Sequence, residues 1–305
     1  MWLLRLVLEV DSSIYQFFNM SSPVWLITGA SNGLGLSFCL RALKAGHRVI
    51  GAMRNPSRAA EAVKAIESRG GRVVQIDMTE SQASIREKIE AAEKIYGTID
   101  ILVNNAGYSL LGPLSEFTEK EVNTQMQTNF FGPIYAIQAV LPGMRARKSG
   151  SIVNISSIAG QDGLPTCSLY AGSKFALEGL SESLAREVAE WGINVLIVEP
   201  GRFRTNFLKA LVANEKGIPE HEKDTLVGKT MQGFRENETP LRGDPEKLAD
   251  RVFEVVTGEG EAGALKGKIL RLPLGKDCLT RLEAKLEKVK SDMEASRAVA
   301  ESTDI

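Results

Sequence analysis

Two residues, Tyr170 and Lys174, are spaced so that they could perform acid–base chemistry together. They stand four positions apart in a stretch with a helical pattern that begins near Ser168, and residues four apart share one face of a helix. A free tyrosine has a pKa of about 10 and is a poor acid–base catalyst near neutral pH. An ammonium group beside it favours the phenolate and lowers that pKa. Taken alone, the pair also fits two exposed neighbours on a helix.

Polar segments at the ends of three predicted strands surround this pair. Residues 154–160 (NISSIAG) end the strand that precedes Tyr170, residues 104–107 (NNAG) end the strand before it, and residues 200–205 (PGRFRT) end the strand after it. Ligands bind at the carboxyl ends of the strands in open α/β sheets. We therefore expect the Ser157 hydroxyl to reach a substrate oxygen.

A glycine-rich turn lies between the first predicted strand and the helix that follows it. Residues 28–35 read TGASNGLG. Gly29 allows a sharp turn, Gly33 lets the backbone approach a phosphate, and Gly35 allows the helix to pack closely on the strand. The helix N-terminus offers free N–H groups and partial positive charge to a pyrophosphate. A strand before the turn and a helix after it together predict a dinucleotide site.

The end of the second predicted strand indicates which nicotinamide dinucleotide is bound. NAD-binding folds usually place an Asp or Glu about 20 residues after the turn, where it accepts hydrogen bonds from the ribose. Here residues 51–56 read GAMRNP, with Arg54 and no acid. Arg54 is suited to pair with a 2′-phosphate, and Ser31 is close enough in the turn to add a hydroxyl. We predict NADP(H); the alternative is that Arg54 is a solvated surface residue.

Strand-like and helix-like segments alternate along the rest of the chain. We predict strands at residues 24–28, 47–53, 72–76, 100–103, 151–155, 193–198 and 268–272, and helices at residues 33–45, 57–69 and 81–96. Such alternation predicts right-handed βαβ crossovers. The predicted fold class is therefore α/β: a single-domain Rossmann-type doubly wound parallel sheet with helices on both faces.

The composition excludes several other classes of protein. The formal net charge is −1, from 37 basic and 38 acidic residues, so no bulk attraction to nucleic acid is expected. Cys39, Cys167 and Cys278 lie too far apart for a disulfide framework, which suits a reducing compartment such as the cytoplasm. His47 and His221 have no second ligand at zinc spacing, and we predict no metal site.

The two ends of the chain lie outside the predicted domain at residues 20–275. Residues 1–19 form an apolar run broken by charges, which is too short for a bilayer span of about 20 apolar residues and lacks the features of a secretory signal. We interpret this segment as an N-terminal appendage; a peripheral membrane helix is the alternative. Residues 276–305 are predicted to form an amphipathic helix and a tail, packed on the body or on a partner. The apolar residues of that helix recur three and four apart: Leu279, Leu282, Leu286, Val289 and Met293.

Together these motifs resemble those of the short-chain dehydrogenase/reductase family, in the compact branch with a TGxxxGxG turn and a YxxxK pair. The resemblance covers residues 23–273 and joins five motifs in the expected order. It implies that Tyr170 is the general acid/base and that Ser157 orients and polarises the carbonyl. It implies that Lys174 lowers the pKa of Tyr170 and holds the nicotinamide ribose. It also implies that Asn129 positions a proton-relay water together with Lys174.

The resemblance also assigns the residues around the cofactor. Asp77 is expected to contact the adenine, and Thr205 to lie near the carboxamide. The predicted cofactor-binding residues are Gly29, Ser31, Asn32, Gly33, Leu34, Gly35, Arg54, Asp77, Asn104, Ala106, Gly107, Tyr170, Lys174, Pro200, Gly201, Phe203 and Thr205. Two positions depart from the family pattern: Phe203 replaces the usual Val or Ile, and Asn32 stands where many NADP(H) members have a basic residue. The second departure leaves the NADP(H) prediction resting on Arg54 and the missing acid.

The expected activity is an NADP(H)-dependent interconversion of a ketone and a secondary alcohol, with Tyr170 moving the proton. Residues 203–243 are predicted to form a lid over the substrate, and their apolar side chains favour a lipophilic or secondary-metabolite-type ketone. The chain looks most similar to steroid/retinoid-type and fungal reductases of the family. Two alternatives stay open: a β-ketoacyl thioester reductase, and a non-catalytic NADP(H)-binding sensor or scaffold. A homodimer and a homotetramer are both open, and no transmembrane span is expected.

Overall fold

The computed structural model describes residues 22–205, 212–236 and 242–305. One predicted segment and part of another lie outside these residues. The predicted N-terminal appendage at residues 1–19 lies outside the described residues, as do Phe207, Leu208 and Leu211 of the predicted lid.

Among the described residues, nine strands form one large and one small sheet. Their bounds are β1 Val24–Thr28, β2 Arg48–Met53, β3 Arg72–Gln75, β4 Ile101–Asn104, β5 Leu110–Leu111, β6 Gly150–Ile155, β7 Ile193–Pro200, β8 Val212–Ala213 and β9 Arg271–Leu274. Seven of them form a central sheet in the order β3-β2-β1-β4-β6-β7-β9, while β5 pairs with β8. All pairs in the central sheet are parallel. The chain runs outward in both directions from β1 and β4, which creates a crevice where their carboxyl ends meet.

Helices connect these strands, and several begin at clear sequence signals. Their bounds are α1 Gly33–Lys44, α2 Ala60–Glu67, α3 Gln82–Glu93, α4 Glu119–Met126, α5 Gly132–Arg147, α6 Ser168–Val188, α7 Leu226–Glu236, α8 Pro245–Thr257 and α9 Lys276–Glu301. Thr118 and Glu121 form a capping box at the start of α4, and Asp244 caps α8; both satisfy backbone N–H groups that the first turn leaves free. A π-helical turn, Gln127–Phe131, joins α4 to α5.

The hydrophobic core lies on both faces of the central sheet. Side chains alternate along a strand, so Trp25 and Ile27 of β1 pack on the side that also holds Phe253 of α8. Val24 and Leu26 pack on the other side, with residues of α3, α5 and α6. Because helices cover both faces, the prediction of a doubly wound Rossmann-type sheet is confirmed.

The last strand begins three residues later than predicted. We expected residues 268–272, whereas β9 is Arg271–Leu274. A turn accounts for the difference, because the backbone N–H of Lys268 donates to the carbonyl of Leu265. That bond closes the chain on itself before it can join the sheet.

The C-terminal helix is present, but most of it does not pack on the described body. Cys278, in its first turn, is fully buried and donates a hydrogen bond from Sγ to the Glu199 carbonyl. Further along, Leu286 and Met293 are 59% and 58% exposed. Beyond its first two turns the helix therefore does not pack on the described residues, and packing on a partner remains a prediction. Within the described residues, the structure has no helix that is both long and apolar enough to cross a membrane.

Candidate active site

Tyr170 and Lys174 share one buried face of α6, as predicted from their spacing. Tyr170 is 9% and Lys174 5% exposed, and Lys174 Nζ lies 5.9 Å from the centroid of the Tyr170 ring. Lys174 Nζ donates a 2.7 Å hydrogen bond to the carbonyl oxygen of Ile155, the last residue of β6. Two residues later, the side chain of Ser157 shares a hydrogen bond with Tyr170. The end of β6 and the buried face of α6 thus bring all three polar groups together.

Burial controls how these groups titrate. It raises the pKa of Tyr170 to about 12, and the hydrogen bond with Ser157 offsets only part of that rise. Burial also lowers the pKa of Lys174 to about 8, against the opposing effect of the Glu178 carboxylate. Desolvation of the phenolate dominates the pKa of Tyr170 in this structure, and the effect of Lys174 on that pKa remains a prediction. Tyr170 therefore keeps its phenolic proton at neutral pH and is available as a proton donor.

Asn129 lies in the π-helical turn and is completely buried. Its Oδ1 accepts a hydrogen bond from the N–H of Tyr108 at 3.2 Å, and its Nδ2 donates to the Tyr108 carbonyl at 3.0 Å and to Ser173 Oγ at 3.1 Å. This side chain therefore holds the segment that follows β4 beside α6. Isolated π turns of this kind are frequent at functional sites. The water-positioning role of Asn129 remains a prediction.

The glycine turn has the backbone geometry that its sequence predicts. Gly29 has φ of +68°, a left-handed conformation that glycine adopts without strain. A Cβ on Gly35 would lie 2.2 Å from the carbonyl oxygen of Gly29. Any larger residue at position 35 would therefore push α1 away from the end of β1.

Two residues that sequence analysis did not name, Thr28 and Asn105, tie this turn to the end of β4. Thr28 Oγ1 accepts hydrogen bonds from the N–H groups of Asn105 and Ala106, both at 3.0 Å. Asn105 Nδ2 donates in return to the Thr28 carbonyl at 2.9 Å. The sequence contains a signal that could have identified both residues. Thr28 ends β1 and Asn105 directly follows β4, both are polar, and these two strands are neighbours in the sheet.

A cavity of about 1270 Å³ runs along the carboxyl ends of the strands and contains Ser157, Tyr170 and Lys174 in its lining. All predicted cofactor-binding residues line it except Gly35 and Asn104. Asn104 is instead 2% exposed and donates a 2.9 Å hydrogen bond to Asn154 Oδ1. Asn105, which directly follows β4, lines the cavity in its place.

Arg54 lies at the edge of this cavity and is exposed to solvent. The residue before it, Met53, is 1% exposed and packs in the hydrophobic core. The end of β2 therefore presents a cation and no carboxylate to the cavity. Asp77, which follows β3, also lines the cavity and accepts a 2.9 Å hydrogen bond from the N–H of Thr79.

The described part of the predicted lid is attached to the body by strand pairing. The N–H of Val212 donates to the Ser109 carbonyl at 3.1 Å, and the N–H of Asn214 donates to the Leu111 carbonyl at 2.9 Å. Apolar cavity-lining side chains come from this region (Val212 and Phe234), from β5 (Leu111) and from the loop before α6 (Leu164 and Cys167). Across the described ranges, His, Cys, Asp and Glu side chains form no group of three that could hold a metal ion.

The sequence of this chain is similar to those of known oxidoreductases. A family model described as short chain dehydrogenase matches residues 23–216. The chain is 50% identical over 190 residues to the oxidoreductase claN of Passalora fulva, which covers 62% of this chain and 86% of that one. It is 43% identical over 188 residues to the 3-ketodihydrosphingosine reductase of Bacteroides thetaiotaomicron, which covers 62% of this chain and 66% of that protein.

Solved structures agree with the sequence matches. A short-chain dehydrogenase from Streptomyces avermitilis is 37% identical and superimposes with a TM-score of 0.81, covering 93% of this chain and 99% of that one. A serine dehydrogenase in its closed form, complexed with NADP+, is 27% identical with a TM-score of 0.66, covering 82% of this chain and 94% of that one.

Proposed function

Because this chain belongs to the short-chain dehydrogenase family, we propose that it is an NADP(H)-dependent oxidoreductase that interconverts a ketone and a secondary alcohol. One observation carries the proposal. The side chains of Ser157, Tyr170 and Lys174 converge in the wall of one cavity, and the tyrosine among them retains a proton that it can give to a substrate oxygen. A protein that only binds a dinucleotide needs no such donor, which argues against the sensor or scaffold alternative.

The cavity suits a nicotinamide dinucleotide together with a substrate. Its volume of about 1270 Å³ exceeds the range of roughly 300–1,000 Å³ that is usual for one drug-sized ligand. The glycine turn lies at the N-terminus of α1, where free N–H groups favour a pyrophosphate. Arg54, at the edge of the cavity with no neighbouring acid, supports NADP(H) over NAD(H), since a guanidinium pairs well with a 2′-phosphate. The serine dehydrogenase that resembles this chain binds NADP+.

The residues of the chain provide positioning and a proton. When bound, the cofactor supplies the hydride. The Ser157 hydroxyl donates a hydrogen bond to the substrate carbonyl oxygen, and Tyr170 transfers its phenolic proton to the same oxygen as negative charge develops there. Lys174 would hold the ribose hydroxyls of the nicotinamide half, and its hydrogen bond to Ile155 fixes its position. Burial raises the pKa of Tyr170 to about 12, so at neutral pH the phenol carries the proton that reduction of a ketone requires.

We propose a lipophilic ketone as the substrate. The apolar side chains of Leu111, Leu164, Val212 and Phe234 in the cavity wall favour a hydrocarbon chain or ring. The resemblance to a 3-ketodihydrosphingosine reductase makes a long-chain 3-ketone a reasonable first candidate. A β-ketoacyl thioester is the alternative, since it presents a similar carbonyl. The three cysteines of the chain are free, which supports a reducing compartment such as the cytoplasm.

The test is an assay of nicotinamide oxidation with purified protein and a panel of carbonyl compounds. The panel contains a long-chain 3-ketone, a cyclic ketone and a β-ketoacyl thioester, each measured with NADPH and with NADH. We expect turnover of a ketone with NADPH and at least ten-fold weaker use of NADH. Turnover of the thioester alone would support the alternative substrate. No turnover of any compound by a protein that binds NADPH tightly would support the sensor alternative.

A further inference from the structure

The C-terminal helix α9 extends well beyond the part of the body to which it is attached. It contains 26 residues and is about 39 Å long at the usual rise per residue. Its first turns are fixed to the cavity wall, because Asp277 accepts a 2.8 Å hydrogen bond from the N–H of Arg202 and Arg281 forms a 2.7 Å ion pair with Asp162. From residue 286 to the end of the chain every residue is exposed.

One face of this exposed helix is apolar, with a spacing that differs from that of an ordinary surface helix. The stripe consists of Leu279, Leu282, Leu286, Val289 and Met293. Its members are separated by three, four, three and four residues, which is the a/d repeat of a two-stranded coiled coil. Three of them, Leu286, Val289 and Met293, are 59%, 43% and 58% exposed. Exposed apolar stripes of this kind usually mark a contact with another helix.

The charged residues that flank the stripe indicate which partner helix can pack on it. On one flank, at e positions, are Glu283 and Lys290; on the other, at g positions, are Lys285 and Asp292. When two such helices run antiparallel, e residues meet e residues and g residues meet g residues. Glu283 of one copy then faces Lys290 of the other, and Lys285 faces Asp292. These four contacts join opposite charges, and they outnumber the two like-charge contacts at the ends of the pair, where Lys276 of each copy faces Arg297 of the other.

The parallel arrangement of the same two helices is disfavoured. In a parallel coiled coil each g residue meets the e residue five positions later on the other helix. Lys285 would then face Lys290 twice at the centre of the contact, and like charges placed together oppose pairing. Asp292 would face Arg297 twice, which offsets this repulsion, so the parallel pair gains nothing net from these charges, whereas opposite-charge contacts outnumber like-charge contacts in the antiparallel pair. The antiparallel register pairs four of the five members of the stripe with each other, because Leu286 lies opposite Val289 and Leu282 lies opposite Met293, while Leu279 lies opposite Ser296.

We propose that α9 pairs with α9 of a second copy of this chain, as an antiparallel two-stranded coiled coil that makes the protein a homodimer. The inference does not depend on the proposed reaction, since it rests on the stripe and its flanking charges. In this arrangement the end of one helix lies beside the first turns of the other, and those turns carry Asp277 and Arg281, which line the cavity.

The first experiment measures the mass of the full-length protein by sedimentation over a range of concentrations. We expect a dimer for the natural sequence and a monomer for Leu286→Glu. Ala284→Glu is the matched control, because residue 284 is on the opposite face of α9; it should leave the dimer unchanged. NADPH binding should be the same for all three proteins, which would show that the domain of the monomeric variant is folded. A monomeric natural protein overturns the proposal, including the case in which residues 1–19 of the same chain cover the stripe. A dimer that survives Leu286→Glu also overturns it.

The second experiment determines the direction of the two helices. A mixture of Leu282→Cys protein and Met293→Cys protein should form a disulfide-linked dimer under mild oxidation, while each variant alone should not. Ready crosslinking of Leu282→Cys with itself would indicate parallel helices and contradict the proposal. Lys290→Glu should raise the dimer dissociation constant at least ten-fold, because it places two acids together. The double change Glu283→Lys with Lys290→Glu should restore the dimer, and failure to do so would contradict the charge pairing.

Discussion

Lys174 Nζ donates a 2.7 Å hydrogen bond to the carbonyl oxygen of Ile155. This bond joins helix α6, which carries Tyr170, to the end of strand β6, two residues before Ser157. The proton donor and the hydroxyl that orients the carbonyl are therefore fixed relative to each other by the side chain of a third residue of the site. Neither Tyr170 nor Ser157 should need to move far when a substrate binds.

Replacing Tyr170 by Phe should abolish most turnover while leaving the fold intact. The change removes one oxygen and no packing, and general acid catalysis is typically worth about 10²–10⁴-fold. Ser157→Ala should reduce turnover to a similar degree. Tyr108→Phe is the matched control, because Tyr108 also lines the cavity and is not assigned a proton transfer. The measurement is turnover at saturating NADPH, and near-normal turnover of Tyr170→Phe would show that the proton comes from another group.

Replacing Arg54 by Ala should weaken NADPH and hardly affect NADH. Loss of a charge-assisted hydrogen bond commonly costs about 1.5–3 kcal/mol, which corresponds to at least ten-fold in the dissociation constant of NADPH. Arg58→Ala is the control, since Arg58 is also exposed and does not line the cavity. An acid at position 53 is not a useful way to switch the cofactor, because Met53 is buried in the core and a carboxylate there would destabilise the fold. Equal losses for both cofactors would contradict the assignment of Arg54.

Replacing Thr28 by Val should lower both stability and cofactor affinity. Val keeps the shape of Thr but leaves the Ala106 N–H without the acceptor it uses now, while the Asn105 N–H keeps only its second acceptor, the Val103 carbonyl. An unmet donor of this kind costs about 1–3 kcal/mol when buried, and the glycine turn would lose its tie to β4. Thr257→Val is the control, since its hydroxyl donates to the Phe253 carbonyl and accepts from the exposed Glu259 N–H, and Thr257 does not line the cavity. The measurements are urea unfolding and NADPH binding; an unchanged affinity would mean that the tie does not position the turn.

The contribution of Glu199 to the stability of the protein should fall as the pH rises toward 7. Burial, reinforced by repulsion from the neighbouring Glu178, raises the pKa of Glu199 from its ordinary value of 4.5 to about 7. Between these two pH values the folded protein holds a proton that the unfolded chain has released, so the stabilisation is full below pH 4.5 and is lost as the pH rises through 7. Glu199→Gln should flatten this fall in the free energy of unfolding. Glu182→Gln serves as the control, because Glu182 also pairs with Arg271 but is partly exposed; an unchanged slope in Glu199→Gln would show that another group is responsible.

Much of the fold and the position of the site follow from local sequence patterns. Alternating apolar segments predict the parallel sheet, because strand and helix periods are properties of short stretches. The glycines of residues 28–35 predict a tight turn, and the four-residue spacing of Tyr170 and Lys174 predicts a shared helix face. The carboxyl ends of parallel strands meet along one edge of a sheet, so the order of the motifs along the chain was enough to bring Ser157 close to Tyr170.

Other properties depend on contacts between segments that are far apart in the sequence, and only the tertiary structure determines them. The pKa of Tyr170 rises to about 12 because packing removes water from its hydroxyl, and no local pattern reports how deeply a side chain is buried. The choice between Asn104 and Asn105 at the cavity wall depends on where β4 ends, because a shift of one residue turns a side chain to the other face of the sheet. The stripe on α9 is visible in the sequence, but its exposure is not. Whether an apolar face packs on its own domain or remains available to a second copy depends on where the last strand, β9, directs the helix.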